Sequence, residues 1–220
     1  MDVFECIITR RSVRKYLDVP VEWDKIGTIM EAGKAAPSSG NIQNWKFIVV
    51  VDKEKRKAIA EACLQQNWMA TAPVHIIVVA EAKKGEQFYG IRGERLYSVQ
   101  NCAAATQNML LMAHALGLGS CWVGAFVEEK LKTILSIPEN VRPQSIITMG
   151  YSDEIVPPPM EMTLEDVMFF RAYGGQIHKV KDVDLTMGYT SGEVRKAINH
   201  VKKLAKKIVD KSMKKPPTGK

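Results

Sequence analysis

The sequence predicts an α+β sandwich, with helices packed on both sides of a mixed sheet. Three observations carry that expectation. Segments with apolar residues at helical spacing alternate with short apolar runs of strand length. The connections between them are too irregular for a doubly wound parallel sheet. The longest helical segment, residues 94–116, is Ala-rich, as close packing at the centre of a fold requires.

The elements follow in order. Val3, Phe4, Ile7 and Ile8 recur at helical spacing and predict a short amphipathic helix. After Pro20, residues 22–35 read as a second helix with Trp23, Ile26, Ile29 and Met30 on one side; Pro37, Ser38, Ser39 and Gly40 stop it. Residues 45–51 read as a buried strand, 53–66 as a helix with an exposed Lys/Glu face, and 74–80 as a second buried strand opened by Pro73. The polar stretch 83–93 reads as a mobile excursion. Leu96, Val99, Ala103, Met109, Leu110 and Ala113 serve packing in the central helix 94–116, which Gly117 and Gly119 end. A short strand at 121–123 and a helix at 128–135 come next. Pro138 and Pro143 then bracket a loop before a strand at 145–149. Beyond Gly150 and Tyr151 the chain becomes an irregular arm with Pro157, Pro158 and Pro159 in a row. From Val194 to Ile208 a helical pattern resumes with lysines on its other face, and residues 214–220 read as frayed.

The chain has 220 residues, 46% hydrophobic and 25% charged, which suits one globular domain with an extension. The expected division is a main domain over 1–190, including a C-terminal arm, and a basic tail over 191–220. The net charge of +7 belongs to the tail, where nine Lys and one Arg face only Glu193 and Asp210. The body is close to neutral, so the basic balance says little about the main domain. The tail's apolar stripe favours docking over a membrane surface or nucleic acid, and no aromatic follows Tyr189. No run of about 18 apolar residues predicts a membrane span. The start Met1-Asp2-Val3-Phe4-Glu5 lacks a secretory pattern, and Cys6, Cys63, Cys102 and Cys121 are scattered. The expectation is a cytoplasmic protein with reduced thiols.

Common motifs are missing. Gly117 and Gly119 are followed by Trp122 where a dinucleotide fingerprint needs a third Gly. Gly119 and Gly124 have Walker spacing, but Ala125 and Phe126 stand in place of Lys and Ser/Thr. There is no HExxH or GxSxG, and His75, His114, His178 and His200 are too dispersed for a metal site.

Two segments near the start carry chemistry. Arg10-Arg11-Ser12-Val13-Arg14 places three guanidinium groups and a hydroxyl within five residues, a set suited to phosphate oxygens. Ala36-Pro37-Ser38-Ser39-Gly40-Asn41-Ile42-Gln43-Asn44-Trp45 is a polar, amide-rich loop leading into a strand. Its amides and hydroxyls suit a polyhydroxylated chain and the edge of a heteroaromatic ring. A phosphate clamp beside such a loop predicts a phosphorylated, ring-bearing cofactor.

The order Arg-Arg-Ser-x-Arg, Ala-Pro-Ser-Ser-Gly-Asn-x-Gln-x-Trp and Ala-Pro-Val-x-Ile-x-Val resembles the nitroreductase family of flavoproteins. So do the central-helix stretch from Gln100 to Leu111, the run from Ala115 to Gly124, and Gly150-Tyr151. The resemblance covers about residues 1–170. It implies a three-layer sandwich with a mixed, mainly antiparallel sheet and an intertwined homodimer holding two FMN molecules at its interface. By position, Arg10, Arg11, Ser12 and Arg14 would bind the phosphate and the pyrimidine side of the ring. Pro37, Ser38 and Ser39 would come from the partner and line the ring, with Asn41 and Gln43 near the ribityl chain or ring edge. Trp122, Val123 and Gly124 would flank the isoalloxazine.

Three departures stand out against that family. Asn44 replaces the usual Pro, and Asn101 stands where an acid is usual. Met160-Glu161-Met162-Thr163, just before Leu164-Glu165-Asp166-Val167, holds no base, so the late base is either replaced by Arg171 or made unnecessary by the N-terminal arginines. The implied activity is an FMN-dependent oxidoreductase using NADH or NADPH in a ping-pong cycle to reduce nitroaromatics, quinones or related small molecules. The flavin carries the chemistry, so no catalytic side chain is assigned. Phe88 and Tyr89 are the candidate substrate lid. The alternatives are a specialised reaction on the same fold, reductive dehalogenation or flavin fragmentation, and a non-catalytic flavin- or nucleic-acid-binding protein acting through the tail.

Overall fold

The computed structural model describes residues 1–175 and, from the tail, residues 196, 199–203 and 206, which are helical. The remaining tail, including most of the expected 194–208 helix, lies outside the described residues. The chain divides into two units, Met1–Pro159 and Met160–Lys220.

The first unit is built on a four-stranded sheet, β1 (Trp45–Val50), β2 (Val74–Glu81), β3 (Gly119–Val123) and β4 (Val141–Gly150), in the order β1-β2-β4-β3. All three strand pairs are antiparallel. The only parallel feature among the described residues is an isolated bridge between Ser12 and Ser120. The central strand β2 shows why the sheet is covered on both faces. Val74, Ile76, Val78 and Ala80 pack with α2 (Trp23–Lys34) and α5 (Ser98–Ala115), while Ile77 and Val79 pack with α3 (Lys53–Ala62) and α6 (Glu128–Leu135). Alternate side chains of one strand thus enter two cores, the period-2 consequence of a pleated strand. The expected α+β sandwich with helices on both faces is what the chain forms.

Several boundaries differ from expectation. The strand β4 begins at Val141 and runs through Pro143, which was expected in a loop; the β2–β4 register shifts between Val78 and Val79, opposite that proline. Helix α3 stops at Ala62, because Leu64 and Gln65 take positive φ. The stretch expected as a mobile excursion is helical: α4 (Ala82–Arg92), kinked at Gly90, leads through a π-helical turn at Gly93–Tyr97 into α5. Gly85 and Gly93 make this possible, since a Cβ on either would collide with the other's backbone.

Helix α1 (Val3–Thr9) is closed by a capping box between Asp2 and Glu5. Among the described residues nothing covers the apolar face of this amphipathic helix: Phe4 is 71% exposed, Val3, Ile7 and Ile8 are exposed too, and of the helix only Cys6 is buried. Trp23 is likewise 65% exposed on α2, not packed. All four cysteines are free and buried. Within the second unit, residues 160–175 are irregular apart from α7 (Leu164–Val167), capped by Thr163 and Asp166.

Candidate functional site

The two segments expected to serve one cofactor lie at opposite corners of the sheet. The arginine segment joins the edge at β3, where Ser12 bridges Ser120 and Val13 N–H donates to Ser120 O at 3.0 Å. The amide-rich loop enters the other edge at the start of β1. Those edges are three strand spacings apart, roughly 14 Å. Along the strands, Trp45 is level with Ala80, while Ser120 is level with Met149 and hence Val74, six residues away on β2 and thus roughly 20 Å off. Within one chain the clamp is therefore not beside the loop.

At the β3 corner the side chains converge. Burial pushes the Cys121 thiol up, and the charges of Arg14 and Arg10 and the Ser12 hydroxyl oppose it. The Arg14 guanidinium lies over the Trp68 ring, 5.8 Å from its centroid. Its backbone N–H and that of Lys15 donate to Glu154 Oε1 at 2.5 and 3.0 Å. Arg11 behaves differently: its Nη1 donates to the carbonyls of Ile8 and Arg10, closing the C-terminus of α1. Among the described residues the Arg10 and Arg14 guanidinium groups donate no hydrogen bond, so both are available to an anion.

A cleft of about 380 Å³ opens here, with Arg10, Arg11, His114, Ser120, Ser152 and Glu154 among its lining. Thr9 Oγ1 donates to Glu5 O and accepts from His114 Nε2 at 2.8 Å. Burial lowers the His114 pKa, and the charges of Arg10 and Arg11 lower it further. Ser120 Oγ is buried with no hydrogen-bond partner among the described residues. An orphaned hydroxyl and the uncommitted Arg10 guanidinium lining one cleft fit an anionic ligand group such as a phosphate. Trp122 and Gly124 are exposed at the end of β3 and Val123 is buried. Gly119 brings the arginine segment close: a Cβ there would lie 2.9 Å from three Val13 side-chain atoms. Gly119→Ala is expected to push Val13 and its flanking arginines outward and to cost about 1–3 kcal/mol, read by urea unfolding.

The loop corner is held by strained backbone. Gly40, Asn41 and Gln43 all have positive φ. Ser38 Oγ accepts from Gln43 N–H at 3.1 Å, and Gln43 Nε2 donates to Asn41 Oδ1 at 2.8 Å. Pro37 is exposed and Ser39 half-buried. Tyr89, from the expected lid, lies with its hydroxyl against Gly40, where any side chain would clash, and its ring meets Tyr97 edge-on at 5.3 Å. Phe88 is exposed. Arg171 belongs to the second unit, where its guanidinium lies over Phe170.

Sequence reasoning missed Trp68, Ser120, His114 and Glu154. Only Trp68, an aromatic in a polar turn before Pro73, left a signal in the sequence. The other three come near the arginines through sheet pairing and helix packing that no local pattern announces.

A model of the nitroreductase family matches residues 7–68 and 64–151, most of the first unit. The chain belongs to the nitroreductase family. As a member it is an oxidoreductase. A protein of Archaeoglobus fulgidus, provisionally named an NADH dehydrogenase/NAD(P)H nitroreductase, is 38% identical over 154 residues, 68% of this chain and 85% of its own. One of Methanothermobacter thermautotrophicus with the same name is 40% identical over 158 residues, 70% of this chain and 79% of its own. Among solved structures, an FMN-dependent nitroreductase from Clostridium difficile R20291 superimposes with a TM-score of 0.68 at 28% identity, covering 77% of this chain and 99% of that one. No described helix is long and apolar enough to cross a membrane.

Proposed function

We propose that this nitroreductase-family chain is an NAD(P)H-dependent flavin oxidoreductase that works as a homodimer. Each FMN is held between the β3 corner of one protomer and the Pro37–Gln43 loop of its partner. The observation that carries this reading is the separation of two ligand-binding segments to opposite corners of one sheet. Each is equipped for a different part of one cofactor, and a second copy is what brings them together. The uncovered face of α1, with Val3, Phe4, Ile7 and Ile8, supplies apolar surface for that second copy.

In this arrangement Arg10 and Arg14 neutralise the phosphate and the pyrimidine side, and Ser12 and Ser120 add hydroxyl contacts. Trp68 and Glu154 hold Arg14 from side chain and backbone, so little order remains to be imposed when the ligand binds. Trp122, Val123 and Gly124 flank the ring, while Ser38 and Ser39 of the other protomer close it. FMN, when bound, would supply the redox chemistry between NADH or NADPH and a nitroaromatic, quinone or related acceptor. The protein needs no acid–base pair for this. Cys121 stays a protonated thiol and Phe88 and Tyr89 border the entrance. Family membership and relatives named for NAD(P)H and FMN support the assignment.

Subunit complementation tests the shared site. Protein carrying Arg10→Ala with Arg14→Ala, and protein carrying Ser38→Ala with Ser39→Ala, should each bind FMN poorly. Mixed dimers should recover about one native-affinity site per dimer. Mixed dimers that recover none contradict a site shared between protomers.

A further inference from the structure

The departures Asn44 and Asn101, far apart in sequence, hydrogen-bond each other. Both are buried, at 0% and 4% exposure. Ser39 N–H donates to Asn101 Oδ1 at 3.0 Å. A backbone N–H can only donate, so this bond sets which way the Asn101 amide faces. Its Nδ2 then points at two oxygens, Ser39 Oγ at 3.2 Å and Asn44 Oδ1 at 2.9 Å. The same logic continues outward. Asn44 Nδ2 donates to Ser98 Oγ at 2.7 Å, and the Ser98 hydroxyl donates to the Gly93 carbonyl at 2.8 Å. A carbonyl can only accept, so the far end agrees with the near one. The chain runs from the cofactor loop to the π-helical turn at the base of the lid with one direction throughout.

That direction has a consequence at Ser39. Its Oγ accepts from Asn101, and among the described residues its hydroxyl donates to nothing. The proton is left to point away from Asn101, at a half-buried position on the ligand-facing loop. We propose that Asn101 sets Ser39 as a hydrogen-bond donor to an acceptor atom of the flavin. The inference rests on the cofactor reading above. Asn101 acts through Ser39 and is a positioning residue. An aspartate at 101 has the same shape but only accepts. It would take both the N–H and the O–H of Ser39, turning the hydroxyl proton inward and presenting lone pairs to the ligand. Asn44 would turn over to donate to it, Ser98 would donate to Asn44, and the Gly93 carbonyl would lose its partner.

The test is FMN titration of the full-length protein and of Asn101→Asp, Ser39→Ala and the double variant, each checked by thermal melting. Asn101→Asp and Ser39→Ala should each weaken binding about tenfold, and the double variant should bind no worse than either. Amide exchange at residues 93–98 should quicken in Asn101→Asp and stay native in Ser39→Ala. Ser98→Ala, which cuts the chain beyond Asn44, should quicken the same amides with FMN affinity unchanged. Native affinity in Asn101→Asp, or single effects that multiply in the double variant, would overturn the proposal. So would weakened FMN binding in Ser98→Ala. Native protein that takes up no FMN would instead sink the cofactor reading itself.

Discussion

Replacing Arg10 and Arg14 together by alanine is expected to weaken FMN binding by about two to four orders of magnitude. Each guanidinium is placed to make one charge-assisted hydrogen bond, about 1.5–3 kcal/mol apiece, and neither makes a hydrogen bond among the described residues that would survive in its place. The stability cost should be small, because Arg10 and Arg14 anchor no backbone carbonyl through their side chains. Arg11→Ala should behave in the opposite way. Its guanidinium closes the end of α1 on the carbonyls of Ile8 and Arg10, so its loss should cost about 1 kcal/mol of stability and little affinity. Fluorescence titration with FMN, paired with urea unfolding of the apoprotein, separates the two. Arg11→Ala that loses FMN as severely as the double variant would show that Arg11 is a ligand and not a cap.

Five consecutive residues show their charged groups in the sequence but not where each side chain goes. The sequence shows three equivalent arginines. Their roles diverge only once α1 ends at Thr9 and presents open carbonyls within Arg11's reach. The layered fold was more readable, because the alternating side chains of β2 and the helical stripe of α5 record burial directly. The reading of residues 83–93 as a mobile excursion failed for a physical reason. Residues 83–93 are polar and contain Gly85, Gly90 and Gly93, which reads as loop chemistry, yet Gly85 and Gly93 serve close backbone packing between α4 and the following π turn. The apolar face of α1 and Trp23 misled in the other direction. Helical spacing predicts burial without saying whether the covering partner is the same chain. Asn44 and Asn101 each looked like a defect alone, and only contact geometry shows that they are bonded partners.

A second large effect is acid destabilisation centred on His75. The ring is fully buried in β2, with Nε2 donating to Met69 O at 2.8 Å and Nδ1 without a partner among the described residues. Burial lowers its pKa from 6.5 to about 4, and the Arg56 charge adds to this while the Met69 carbonyl opposes it. The folded state therefore resists a proton that the unfolded chain accepts readily. Above pH 6.5 both states hold a neutral ring and the full stability is present. As pH falls from 6.5 towards 4 the unfolded state is protonated first, and about 3 kcal/mol of stability is lost across that window. Unfolding midpoints between pH 7.5 and 4.5 should show this decline, and His75→Gln should flatten it. An equally steep decline in His75→Gln would assign the effect to other groups.

The most direct measurement of the central claim is the visible spectrum of the purified protein reconstituted with FMN, recorded anaerobically before and after NADH or NADPH is added. An FMN-dependent NAD(P)H oxidoreductase should retain about one FMN per chain through gel filtration as a dimer, and its absorbance near 450 nm should bleach within seconds of nicotinamide addition. Protein that stays colourless after soaking in FMN, or a bound flavin that neither nicotinamide bleaches, would contradict the account.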